Sequence, residues 1–298
     1  STSRAGAGPD VGDPATAMGF WEAWPLWREI VAVAILAAAM CSFVGVYIVL
    51  RRVVFVSAAM SQMSGVGVAM AFFLCSVMHV EPHEAPLWLH PLWYAIAFAA
   101  LGAGLFSLNL GHRRLASETL VGLGYLIAAG SVILILNSPR VSQEAHEVND
   151  LLYGNAVVST PAQLTIVALT AVVVALVHAL FGKEFRFTMF DAEMARTLGL
   201  RTRGWSLLLF LTFALAISVS TRAIGALPAF AFMVIPPAVG LLIGDRMWSV
   251  FAISIGVGSV SAFLGYYASF RWSLPTGASM VVVSALFLVP SLLRLRAR

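Results

Sequence analysis

The sequence predicts an all-α polytopic membrane protein with eight or nine transmembrane helices and one short helix on the cytoplasmic side. Of its 298 residues, 60% are hydrophobic and 11% charged, and the mean hydropathy is +0.91. A soluble domain carries roughly 25% charged residues. Apolar runs of about 20 residues, the length that crosses ~30 Å of hydrocarbon as helix, recur along the chain. Short stretches rich in Arg, His and Glu separate them, so the chain reads as spans and loops.

Residues 1–17, STSRAGAGPDVGDPATA, are too polar to pack. They are expected to form a flexible tail without the charged-then-apolar pattern of a leader, so that a tail of 1–20 precedes a membrane domain at 21–298. Spans are expected at 30–50, 53–78, 93–110, 118–137, 163–181, 205–221, 228–244, 248–268 and 276–291. Each is bounded by polar residues: LRR at 50–52, HVEPHEAPLWLHP at 79–91, GHRRLAS at 111–117, NSPRVSQEAHEVND at 137–150, a long segment at 182–204, GDRM at 244–247 and RLRAR at the end.

Orientation follows from Lys and Arg, which cytoplasmic loops hold in excess. Arg51, Arg52, Arg113, Arg114, the 182–204 segment, Arg246 and the C-terminal arginines make up most of the 18 basic residues. Nine spans put all of them on one side, predicted cytoplasmic, with the N-terminus outside. The loops at 79–91 and 137–150 then face outward with His79, Glu81, His83, Glu84 and His90 in the first. Trp88, Trp93, Trp205, Trp248 and Trp272, near span ends, are expected at the interface, and His178 at headgroup level.

What the spans lack excludes several functions. The 14 acidic residues leave the span interiors essentially empty, with Glu118, Glu184 and Asp245 at ends. A buried membrane charge costs about 3 kcal/mol or more and persists where it works, so this pattern argues against ion-coupled secondary transport. No H-E-x-x-H lies on a span, and no G-x-x-x-x-G-K-[ST] is present. Any ATP hydrolysis therefore belongs to a partner. Cys41 and Cys75 sit in apolar runs as small hydrophobes. The arginines at span ends suit anionic headgroups rather than nucleic acid, for which no stacking-aromatic pattern exists.

The 187–205 stretch, FTMFDAEMARTLGLRTRGW, predicts a two-turn helix between spans. Asp191 is a good N-cap, Glu193 complements the helix start, and Gly199 supplies a left-handed stop. Met194, Ala195 and Leu198 form a small apolar face. It either lies on lipid or plugs a groove on a cytoplasmic partner.

The second span carries Ser57, Ser61, Gln62 and Ser64 in an apolar run. Ser57, Ser61, Gly65 and Ala69 recur every four residues, a small-residue ridge that lets helices approach closely. Ala58 and Gln62 flank the ridge and could line a path. Met60 and Met63 could soften it, although a methionine on a span is more often packing.

The run FDAEMARTLGLRTRGWSLLLFLTFALAISVSTRAIGALPAFAFMVIPPAVGLLI resembles the membrane permeases of ATP-binding-cassette importers for divalent metals, the zinc and manganese type. Phe190, Asp191, Ala195 and Gly199 match that family's F-D-x-x-x-A-x-x-x-G coupling segment, and Gly225, Leu227, Pro236 and Ala238 its G-x-L…P-x-A run. SLPTGASMVV at 273–282, DLLYGNAVVST at 150–160 and Gly45 with Arg51 and Arg52 extend the resemblance across 20–290. It implies a multi-pass permease of the bacterial inner membrane that works as a pair with a second copy. Two cytoplasmic ATPase subunits, carrying the ATP and Mg²⁺, would dock at Phe190, Asp191, Glu193, Met194, Ala195, Leu198 and Gly199. A periplasmic or lipid-anchored protein would deliver substrate, and this chain would bind no cofactor and catalyse nothing itself.

The resemblance fails at one place. The family opens its second span with F-x-G-D-A-x-S-H, an Asp and a His four residues apart that coordinate metal; here the run is FVSAAMSQ, with Ala58 and Gln62 at those positions. A neutral amide oxygen is a poor lone ligand for a transition metal. Three readings stay open: relaxed metal transport past Ser57, Met60, Ser61 and Gln62, a chelated or organic substrate, and a non-transporting complex. His79, Glu81, His83 and Glu84 are candidate metal-capturing residues in the outer loop, weak ones because a site needs several converging ligands.

Overall fold

The structure is a computed structural model that describes residues 20–21, 24–80, 86–107, 117–138, 161–190 and 201–296. Among these the chain forms ten α-helices and a single 3-10 turn, with no strand. In chain order they are α1 (Trp24–Leu50), α2 (Val54–Met78), α3 (Pro91–Ser107), α4 (Ser117–Leu136), α5 (Pro161–Phe190), α6 (Thr202–Ile224), α7 (Ala226–Ile243), α8 (Met247–Trp272), α9 (Thr276–Leu286) and α10 (Leu288–Arg296).

Eight stretches are long and apolar enough to span a membrane, α9 and α10 together supplying the last of them. The 17-residue α3 is apolar but shorter: at 1.5 Å per residue it covers about 25 Å. It runs antiparallel to α2, because Gly67 meets the backbone of Tyr94 and Ala95 while Gly102 meets Met63. The helix ends alternate as nine passes require. Arg51, just past α1, bonds Ser206 near the start of α6, and Gln163 near the start of α5 bonds the carbonyl of Arg222 near the end of α6. Phe20, before α1, meets Phe263, Tyr267 and Phe270 edge-on at the far end of α8.

α6 is the central element, packed against α1, α2, α3, α5 and α7. Close approach is bought by small residues rather than by interlocking large ones, as membrane helices without a hydrophobic driving force require. Gly45 of α1 lies on the backbone of α7 at Met233, Gly258 of α8 on Ser42 of α1, and Gly265 of α8 on Met280 of α9. α4 and α5 are the least buried spans and present wide apolar faces outward.

Several expectations are corrected. The helix of the fifth span does not stop at 181. It bends at Phe181 (φ −112°, ψ 17°) and continues through Lys183, Glu184 and Arg186 to Phe190, because Phe185 on the extension is fully buried against Tyr47, His178 and Trp205. His178 faces the bundle interior rather than lipid headgroups. It is 4% exposed, its Nδ1 is 2.9 Å from the carbonyl of Val174, and Phe43, Tyr47 and Phe185 enclose its ring. Trp205 is likewise half-buried against Phe181, whereas Trp88, Trp93, Trp248 and Trp272 are exposed. Cys41 and Cys75 are buried and form no disulfide, and the Cys41 thiol donates to the Ser220 hydroxyl. Of the docking segment, Phe190 ends α5; Asp191, Glu193, Met194, Ala195, Leu198 and Gly199 lie outside the described residues, as do the tail at 1–19 and the run at 150–160.

Candidate functional site: a membrane-depth cleft

The three faces of α2 go to three places. Ser57 is 1% exposed and donates to the carbonyl of Val54 at 2.6 Å, satisfying its hydroxyl within its own helix. Met60 is fully buried in the main core with Val56 and Ala59. Met63 and Val66 turn the other way, to an apolar cavity of about 520 Å³ shared with Phe98, Phe106 and α4. Phe55, Ala58, Ser61 and Gln62, spaced as one helical face, line a larger cleft of about 680 Å³.

α4 forms the opposite wall through Gly122, Tyr125, Ala129 and Ile133, and the first turn of α7 closes the third side with Ala226, Leu227 and Phe230. The lining of α4 runs from Val121 to Ile133, about 18 Å of helix, so the cleft is elongated along that helix. Its polar groups are the Ser61 hydroxyl, the Gln62 amide and the Tyr125 phenol. Among the described residues no carboxylate or imidazole lines it, and no three His, Cys, Asp or Glu side chains come together. The donor set can exchange neutral hydrogen bonds with a solute; it lacks the anionic or imidazole ligands that hold Mn²⁺ or Zn²⁺.

The cleft is open along one side. Phe55, Leu126, Ile133 and Leu227 stand at its rim, 69%, 65%, 61% and 46% exposed. Gly225 sets its third wall: with φ 94° and ψ 159° it occupies backbone space nearly restricted to glycine, and there the chain turns from α6 directly into α7.

The end of α2 that leads into α3 is organised separately. His90 precedes α3, and its Nδ1 accepts the Leu92 N–H at 3.3 Å, as an N-cap does. Burial, and then the positive charge of Arg222, push the His90 pKa below its ordinary value. Of the outer-loop candidates, His79 is exposed and ends α2 in a left-handed conformation (φ 55°). Its N–H and that of Val80 return to Ser76 and Cys75, so its backbone role is a helix stop. Glu81, His83 and Glu84 lie outside the described residues.

Sequence reasoning placed Ser61 and Gln62 on a possible path but missed Tyr125, the one phenol of α4 on the cleft face. The spacing of Gly122, Tyr125, Ala129 and Ile133 was the available signal.

The sequence profile of the ABC 3 transport family matches residues 24–294. The manganese import system permease protein ScaB of Streptococcus pneumoniae is 25% identical over 261 residues, covering 88% of this chain and 86% of that protein. The chelated iron transport system membrane protein YfeD of Yersinia pestis is 25% identical over 273 residues, covering 91% and 86%. Among solved structures, PsaBC from Streptococcus pneumoniae in complex with Fab superposes with a TM-score of 0.77 at 20% identity, over 91% of this chain and 94% of that one.

Proposed function

Because the chain belongs to the ABC 3 transport family, we propose that it forms, as a pair, the membrane pathway of an importer for a metal-containing substrate in the bacterial inner membrane. Separate cytoplasmic subunits hydrolyse ATP with Mg²⁺, and a substrate-binding protein delivers cargo from outside. The observation that carries this reading is the open-sided cleft. A membrane-depth channel wall open along one exposed apolar rim is what a second copy, placed on the same face by twofold symmetry, would close.

The experiment is purification of the full chain with the products of its neighbouring genes, followed by reconstitution. ATP-driven uptake of metal supports the reading. Recovery without any ATPase sinks it, and ATPase recovery with no uptake of any substrate favours a non-transporting complex of the same architecture.

The cleft chemistry favours a second reading of the cargo. A twofold pair duplicates Ser61, Gln62 and Tyr125, so among the described residues the paired lining remains neutral. Such a lining suits a metal that keeps its own organic ligands, of the kind named for the chelated-iron relative. Uptake assays comparing Mn²⁺ and Zn²⁺ as free ions with ferric citrate would separate the two.

A further inference from the structure

We propose that Arg51 is a positioning residue that ties the cleft helix α2 to α6, so that the two move as one body when the cytoplasmic end of α6 is displaced. The inference rests on the transporter reading above, because the displacement it transmits comes from a docked ATPase.

The turn between α1 and α2 is stiff. Arg52 is left-handed (φ 58°), its N–H returns to Val49, and the Val53 N–H returns to Ile48 at 3.2 Å, the paired bonds of a Schellman stop. One residue later α2 begins, and Val56 closes its first turn on Val53 at 3.0 Å. Arg51 projects from this turn into α6. One guanidinium nitrogen donates to the Ser206 hydroxyl at 2.8 Å, and the guanidinium carbon stands 5.0 Å from the centroid of the Phe210 ring. The other terminal nitrogen is buried without a partner among the described residues. A cation held this way is worth more than a surface pair, because water does not compete for the ring face.

The chemistry selects arginine. A planar, permanently charged fork can stack on Phe210 and hydrogen-bond Ser206 at once, whereas a lysine ammonium is a point charge that does one or the other. The placement gives the contact its consequence. Ser206 is four residues into α6, directly after the segment between α5 and α6, and Ala58 and Gln62 lie two to three turns beyond Arg51. Without the clamp, α2 would be held to α6 by apolar packing alone, in the core that Val56 and Met60 share with Phe210 and Phe213, and could slide against it.

The test needs no knowledge of the substrate. Spin labels are placed at Met78→Cys, at the end of α2 away from the cleft, and at Leu207→Cys, both exposed positions, while Cys41 and Cys75 are buried from the label. Labelled chain is diluted with unlabelled chain, so that each complex carries one labelled copy, and the distance is read before and after vanadate trapping. In the wild-type background the distance should change by less than about 2 Å, while Arg51→Gln should show a change of several ångströms or a broadened distribution, with ATP hydrolysis retained. Arg51→Lys should fall between them. Ser206→Ala, which removes only a hydroxyl, should give the same direction with a smaller amplitude and covers the case in which Arg51→Gln fails to assemble. Equal behaviour of the wild type and the variants, whether both move or neither does, overturns the proposal. A complex that recovers no ATPase cannot be vanadate-trapped, and that failure belongs to the transporter reading instead.

Discussion

Gly45 of α1 lies against the main-chain carbonyl of Met233 in α7, and Pro237 leaves that carbonyl without an intrahelical donor. A proline four residues on removes the N–H that would have reached it. In lipid such a carbonyl has no water to turn to, and the approach of a glycine Cα–H offers a weak substitute worth about 0.5–1 kcal/mol. A Cβ at position 45 would collide with the carbonyl oxygen, carbon and Cα of Met233, all of them backbone. Gly45→Ala should therefore cost about 1–3 kcal/mol by overpacking, and Gly45→Val more. Thermal unfolding in detergent followed by size-exclusion fluorescence measures this; an unchanged midpoint for Gly45→Val would show that α1 and α7 do not pack as described.

Gly225 carries a different liability, conformational rather than steric. At φ 94° and ψ 159° a substituted residue is strained by about 1–3 kcal/mol. The strain relaxes by re-aiming the first turn of α7, which holds Ala226, Leu227 and Phe230 at the cleft. Gly225→Ala should therefore lower transport by more than its loss of thermal stability explains. Parallel losses in both would mean that the turn serves only the fold.

Much of the architecture was legible because hydrocarbon thickness imposes a length on each span, and Arg clusters marked where spans end. All nine expected spans are present as helices, including the short one that composition alone leaves ambiguous. The errors came from tertiary burial. Lys183, Glu184 and Arg186 look like a loop, yet Phe185 between them is buried and carries the helix with it. His178 and Arg51 look like headgroup residues until aromatic rings across the bundle are known to receive them. Within the cleft, the α2 face was readable from its polar residues. The α4 and α7 faces carried less of a mark: Tyr125 points to the α4 face, but the Ala, Gly, Leu and Phe around it do not show which side of a span faces a void.

His90 makes stability depend on pH. Its ring must stay neutral for Nδ1 to accept the Leu92 N–H, and burial with the charge of Arg222 holds its pKa below the ordinary 6.5. The unfolded chain then takes up a proton at a higher pH than the folded one. Stability is complete above about pH 6.5 and falls as pH drops from there toward the folded pKa. His90→Asn keeps a capping acceptor and removes the titration. The difference in unfolding midpoint between wild type and His90→Asn should move against the wild type as pH is lowered from 7.5 to 5. A difference independent of pH would show that His90 is solvated in the folded chain.

The cleft's neutrality can be tested by reversing it. Ala58 and Gln62 lie one turn apart on the cleft face, so Ala58→Asp with Gln62→His places a carboxylate and an imidazole side by side. Two copies across a twofold axis would then present four ligands of the types that bind Zn²⁺ and Mn²⁺. A ligand that binds only the folded state raises stability by about 2.7 kcal/mol at a hundred times its Kd. The double variant should accordingly gain a metal-dependent rise in unfolding temperature with Zn²⁺ or Mn²⁺, and the wild type should show none. Each single variant should gain little, since one ligand per copy leaves the geometry open. A wild-type protein already stabilised by free Mn²⁺ would mean that ligands outside the cleft bind the ion, and would return the cargo to a bare cation.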